Sequence, residues 1–261
     1  MGEHRMRLAA ACGCGSTGLI SWLRDKSGGC AVEITLDGMN NPAVINLLAR
    51  YEGSVVIRGL VQLLPFGIGG AADVVLTRTI ENIREDRSRT FFDELANTSR
   101  ALDPAVLESE DFLHCYFATA KYALNTRRRE KIQMFARLLN ASLAEAGPKD
   151  VDEYEQFVEI LDELTYRELR ALAIMDSFSA RPRDRTQNDL QWTNTFWREF
   201  EERITQELGV TEREVRDFMN RIARTGCYEM FTGGYMDYTG GKGKLTPTYR
   251  RLKSFVGIQA A

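Results

Sequence analysis

The sequence predicts a mostly α-helical protein with one small β-hairpin near its end. Three observations carry that expectation. Apolar residues recur at the period of a buried helix face, as in Ile132, Phe135, Leu138, Leu139 and Leu143. Helix stops punctuate the chain, notably Asp103-Pro104, Gly147-Pro148, Gly209 and Gly226. Two aromatic-rich runs flank Gly233-Gly234 in the segment 227–245, which reads as a hairpin.

Residues 1–38 mix Cys, Gly and Ser without a helical or strand period. They are expected to be a disordered or non-native extension, with Met39 as the natural start, and the intact mass of the native chain decides this. Residues 42–64 alternate apolar clusters with Arg50, Glu52 and Arg58, and suit one or two buried helices with a break near Gly53. Pro65 to Gly70 is a turn. Residues 71–102 form a long helical pattern whose stripe runs Val75, Ile80, Ile83, Phe91 and Leu95. Proline disfavours a helical residue before it, so Asp103-Pro104 ends that helix. Ser109 starts the aromatic-rich helix 110–124. Thr126 to Lys131 opens a helix that extends to about Ala146. Segments 151–164 and 165–178 read as two more amphipathic helices. Thr165 with Glu168 is a capping-box pattern, in which each side chain satisfies an orphan amide.

Residues 181–189 are polar and irregular, a loop or domain joint. Residues 189–208 then place Trp192, Phe196, Trp197, Phe200, Ile204 and Leu208 on one helix face. Thr211 and Glu214 form a second capping box, opening a helix over 211–225 with Val215, Phe218, Met219 and Ile222 inside. After the hairpin, Thr246 is an N-cap and Pro247 occupies the first turn of a last helix carrying Tyr249, Leu252, Phe255 and Val256.

That order of elements, with Leu208-Gly-Val-Thr211, Arg224-Thr-Gly226 and Leu245-Thr-Pro247 at the joints, resembles a winged helix-turn-helix domain over about residues 165–256. The loop at 179–188 departs from the tight versions of that pattern. The chain is expected to divide into a helical body, 39–160, and a winged-helix-like domain, 161–258. The resemblance implies that helix 211–225 would enter a DNA major groove. Its exposed face would offer Arg213, Arg216, Asn220, Arg221 and Arg224, and the hairpin would bring Lys242 and Lys244 near phosphates. From 203 to 256 there are ten Lys or Arg and six Asp or Glu, a local excess of four positive charges.

Composition sets the frame for those residues. The net charge of −3 argues against nucleic-acid binding by the whole surface and leaves room for a local basic patch. Five cysteines show no even framework, so a reducing compartment, the cytoplasm, is expected. Leu8 to Cys12 is too short and too soon broken by glycine to be a signal segment. No catalytic constellation is expected. His114 has no acid partner in sequence view, Cys12-Gly-Cys14 lacks a second metal-ligand pair, and Gly240-Gly-Lys-Gly-Lys fails the phosphate-loop spacing. Arg127-Arg128-Arg129 reads as a solvated face. The sequence therefore predicts a non-enzymatic interaction protein without cofactor or metal, whose partner is a protein or a second copy of itself. One alternative is a DNA-binding regulator using helix 211–225 and the 227–245 hairpin. The other is a membrane-active or defence-type effector using the apolar 55–76 region as a helical hairpin.

Overall fold

Ten α-helices and one two-stranded antiparallel sheet follow one another among the residues that the computed structural model describes, 42–64, 74–97, 105–106, 109–232 and 241–258. The protein is mostly α, as the periodicity predicts. The expected extension over 1–38, with Cys12 and Cys14, lies outside the described residues, as do the turn at 65–70 and the Gly233-Gly234 tip.

The first three helices are α1 (Pro42–Arg50), α2 (Val55–Gln62) and α3 (Val74–Ala96). The break between α1 and α2 falls at Tyr51–Gly53, and the Ser54 hydroxyl caps α2 by accepting from the Ile57 amide at 3.2 Å. Arg50 grips Asp93 of α3 with two hydrogen bonds of 3.0 and 2.9 Å, and the Tyr51 hydroxyl donates to the same carboxylate at 2.8 Å. Val56, Ile57, Leu60 and Val61 of α2 are buried in the core. Within the apolar 55–76 region, Val56, Ile57, Leu60, Val61 and Leu64 are thus buried while Val55 is exposed; residues 65–73 lie outside the described residues.

Next come α4 (Glu110–Asn125), α5 (Arg129–Ala141) and α6 (Val151–Glu163). Ser109 caps α4 through the Phe112 amide at 3.3 Å, and Asp150 caps α6 through the Glu153 amide at 2.8 Å. Helix α5 is shorter than the sequence predicts at both ends. Arg128 stands at its N-cap with no side chain that can accept, so the helix starts late. At the other end the Ser142 hydroxyl donates to the Leu139 carbonyl at 2.7 Å, and successive turns replace the helix up to Gly147.

Helix α7 (Tyr166–Ser179) is not amphipathic in the expected sense. Leu169, Ala171, Leu172, Ala173, Ile174, Met175 and Phe178 are all buried, so it is covered on most of its circumference. Around it lie α8 (Asp189–Leu208), α9 (Glu212–Arg224), the strands β1 (Tyr228–Met230) and β2 (Gly243–Leu245), and α10 (Pro247–Val256). The strands pair with Tyr228 opposite Leu245 and Met230 opposite Gly243, and the Phe231 amide adds a bond of 2.9 Å to the Lys242 carbonyl.

The last helix returns to the helical body. Phe255 of α10 meets Phe157 of α6 edge to face at 5.0 Å. Arg251 pairs with Glu153 of α6, Lys253 reaches Asp176 of α7 at 2.5 Å, and Arg137 of α5 donates to the Val256 carbonyl at 3.3 Å. Buried residues from α1 through α10 belong to one apolar cluster, and across residue 160 the packing runs mainly between α5 and α10.

Candidate nucleic-acid interface

Helix α9 follows α8 through a short turn. Gly209 takes φ +65° there, a conformation that costs a residue with a Cβ about 1 kcal/mol or more. The Thr205 hydroxyl fixes the same turn by donating to the Val210 carbonyl at 2.7 Å. The Glu214 carboxylate reaches back to the Thr211 amide at 3.0 Å and its hydroxyl at 2.8 Å, which closes the first turn.

At 100° per residue, α9 has two well-separated faces. Val215, Met219 and Ile222 are buried on one. Arg213, Arg216, Asn220 and Arg224 lie on the other, and all four are exposed. None of the four hydrogen-bonds through its side chain to another element among the described residues. Arg216 has a loose contact with the adjacent Asp217 at 3.5 Å. The hairpin passes beside this face: a Cβ at Gly241 would come within 3.1 Å of the Arg216 Cα, and Gly241 has φ +85°. Only glycine allows the backbone to approach α9 so closely in that conformation.

The remaining candidates are engaged by other side chains of the protein, although Arg221 and Lys244 stay about half exposed. Arg221 turns toward α7 and clamps Glu168 with both guanidinium arms, the second bond measuring 2.7 Å. Glu168 is 1% exposed and also accepts from the Thr165 amide and hydroxyl at 2.7 Å each. Burial alone would raise the Glu168 carboxyl, but the hydrogen bonds from Arg221 and Thr165 outweigh it and hold it below the ordinary carboxylate range. Lys244 bonds Asp189 at 3.1 Å and lies 3.7 Å from Glu229, and Lys242 donates to Asn194 Oδ1 at 2.8 Å. Asp189 also takes Arg183 at 2.8 Å, and the two hydrogen bonds, from Arg183 and Lys244, lower its pKa. These pairs tie the 181–189 loop to β2 along a cleft of about 560 Å³.

Two features escaped the sequence reading. Asn188 and Gln191 form a complete capping box at the start of α8, with bonds of 3.0 and 2.8 Å, and that spacing is visible in the sequence. The Glu168–Arg221 clamp joins residues 53 apart, so no local pattern points to it. His114 does meet an acid, Glu155 of α6, at 2.6 Å, in a pair that is about half exposed on both sides. Arg129 pairs with Asp86 of α3 at 2.6 Å, while Arg127 and Arg128 are exposed.

No family model, curated protein or solved structure matches the chain, so the functional reading rests on the geometry of α9 and its neighbours.

Proposed function

We propose that this chain is a non-enzymatic recognition protein whose winged-helix-like C-terminal part docks double-stranded DNA through the outward face of α9. One observation carries the reading: Arg213, Arg216, Asn220 and Arg224 share one exposed helix face and make no bonds elsewhere in the described structure. Nearby cations with a structural task, Arg221 and Lys244, turn away from it toward carboxylates. Such a face suits phosphate contact and base reading together. Burial pushes Cys115 and Cys227 up to about 11, which keeps them protonated and unreactive near neutral pH.

A protein partner is the second reading. Glu212, Glu214 and Asp217 are exposed on the same helix and would repel phosphate while matching a surface of mixed charge. The membrane alternative has less support. Val56, Ile57, Leu60 and Val61 of α2 lie in the core, and no helix among the described residues is long and apolar enough to cross a membrane.

Fluorescence anisotropy of the full chain with a mixed-sequence duplex tests the proposal. Binding should weaken steeply as salt rises, because phosphate contacts release condensed counterions. Replacing Arg213 or Arg224 with Ala should lower the logarithmic salt slope by about one for each phosphate contact removed. Absence of binding at low salt would leave the protein-partner reading.

A further inference from the structure

Strand β2 has one edge that no other strand covers among the described residues. Its hydrogen-bond phase is fixed by two flanking bonds: the Phe231 amide donates to the Lys242 carbonyl at 2.9 Å, and the Thr246 amide to the Cys227 carbonyl at 3.2 Å. Opposed residues of an antiparallel pair alternate between bonded and non-bonded. In this phase Glu229 and Lys244 exchange the ladder bonds, and Gly243 and Leu245 turn their amides and carbonyls away from β1. Of those four groups only the Gly243 carbonyl has a partner among the described residues, the Thr193 hydroxyl at a long 3.4 Å. Both residues are buried, a setting in which backbone groups are nearly always paired.

The same edge lines the cleft of about 560 Å³. The three carboxylates of that cleft already face cations of the protein: Asp176 meets Lys253, Asp189 meets Arg183 and Lys244, and Glu229 lies near Lys244. Arg250 also lines it, is exposed, and has no side-chain partner among the described residues. The unmatched groups are therefore a row of backbone donors and acceptors and one cation. A small anion would answer only the cation. An extended peptide answers both, because its backbone groups repeat every second residue, about 7 Å, as Gly243 and Leu245 do. Arg250 lies one turn beyond Pro247, at the Leu245 end of the edge, and a carboxylate side chain belongs there. Trp192 adjoins Thr193 at the Gly243 end, where an apolar side chain can rest on the indole.

We propose that the free edge of β2 docks an extended, acidic peptide segment of a partner protein, which adds to the sheet as a third strand within the cleft. The site lies apart from the outward face of α9 and stands or falls independently of DNA docking. A randomised octapeptide library displayed on phage, selected against the full chain, supplies a probe peptide that is then synthesised and titrated. Selected peptides should carry an acidic residue, and Arg250→Glu should weaken them roughly threefold to tenfold. Ala180→Trp, which fills the cleft from the end of α7, should abolish binding. Both positions are exposed, so circular dichroism should show unchanged folding. Amide exchange followed by NMR reads the backbone pairing directly. With peptide at about ten times its Kd, the Gly243 and Leu245 amides should slow about tenfold. N-methyl groups on alternate peptide residues should block binding in one phase and spare it in the other. Failure to select any peptide, binding that leaves both amides unprotected, or equal tolerance of both methylation phases would overturn the proposal. Protection of the two amides that grows with protein concentration in the absence of peptide would assign the edge to a second copy of the chain and overturn the partner segment.

Discussion

Replacing Arg221 with Ala separates a structural arginine from the docking arginines beside it. The substitution removes two hydrogen bonds from a carboxylate that is 1% exposed. Stranding a fully buried charge costs about 3–5 kcal/mol. Two features reduce that figure here. The Arg221 side chain is 47% exposed, so its loss admits water to Glu168, and both Thr165 donors remain. A loss of about 2 kcal/mol at pH 7 is expected, or a fall in Tm of roughly 4–8 °C for a chain of this size. Urea unfolding followed by circular dichroism measures it. The pH dependence has a definite sign. The folded Glu168 carboxyl titrates below its ordinary value, so its contribution is complete above the unfolded pKa and fades as pH falls through the folded one. The deficit of Arg221→Ala should therefore be full at pH 7 and shrink below about pH 4. A double-mutant cycle with Glu168→Gln isolates the pair. Coupling near zero, or a variant as stable as wild type that loses DNA affinity as Arg216→Ala does, would refute the assignment of Arg221 to Glu168.

Three other substitutions or probes check further parts of the structure. Phe255→Ala should cost about 3 kcal/mol by removing the ring that packs on Phe157, and thermal unfolding should show it; an unchanged Tm would mean that α10 does not hold the body. Gly241→Ala should destabilise by about 1–2 kcal/mol, because it needs both φ +85° and a Cβ 3.1 Å from Arg216; a neutral result in denaturant titration would contradict the close approach. Alkylation at pH 8 followed by peptide mapping should leave Cys115 and Cys227 unmodified in the native chain and modify both in denaturant, since burial raises each thiol to about 11.

Much of the helical architecture is legible locally because each start or stop is decided within a few residues. Ser54, Ser109, Thr165 and Thr246 all cap helices through amides three residues on. The α5 boundaries were not legible, because Arg128 cannot cap and Ser142 competes for backbone carbonyls, effects that the apolar period does not register. The burial of α7 was also hidden. An amphipathic helix leaves one face to solvent, yet Ala171 and Ala173 are buried together with Leu169, Leu172 and Ile174. Among the candidate contacts, the period of α9 correctly separates Val215, Met219 and Ile222 from Arg213, Arg216, Asn220 and Arg224. The same period groups Arg221 with those outward residues, and the structure corrects this, because Glu168 on α7 draws its side chain into an ion pair.

The sequence by itself determined the mostly helical class, the hairpin strands with Thr246-Pro247 after them, and the two faces of α9. Each depends on interactions over a few residues: amide capping, proline geometry, and the repeat of apolar side chains. The tertiary structure alone decided that α10 closes onto α5, α6 and α7, that Lys244 and Arg183 converge on Asp189, and that Arg221 serves Glu168 while Arg213, Arg216 and Arg224 face outward. Those outcomes join residues far apart in the chain, and a long flexible side chain takes whichever partner the packed helices bring within reach.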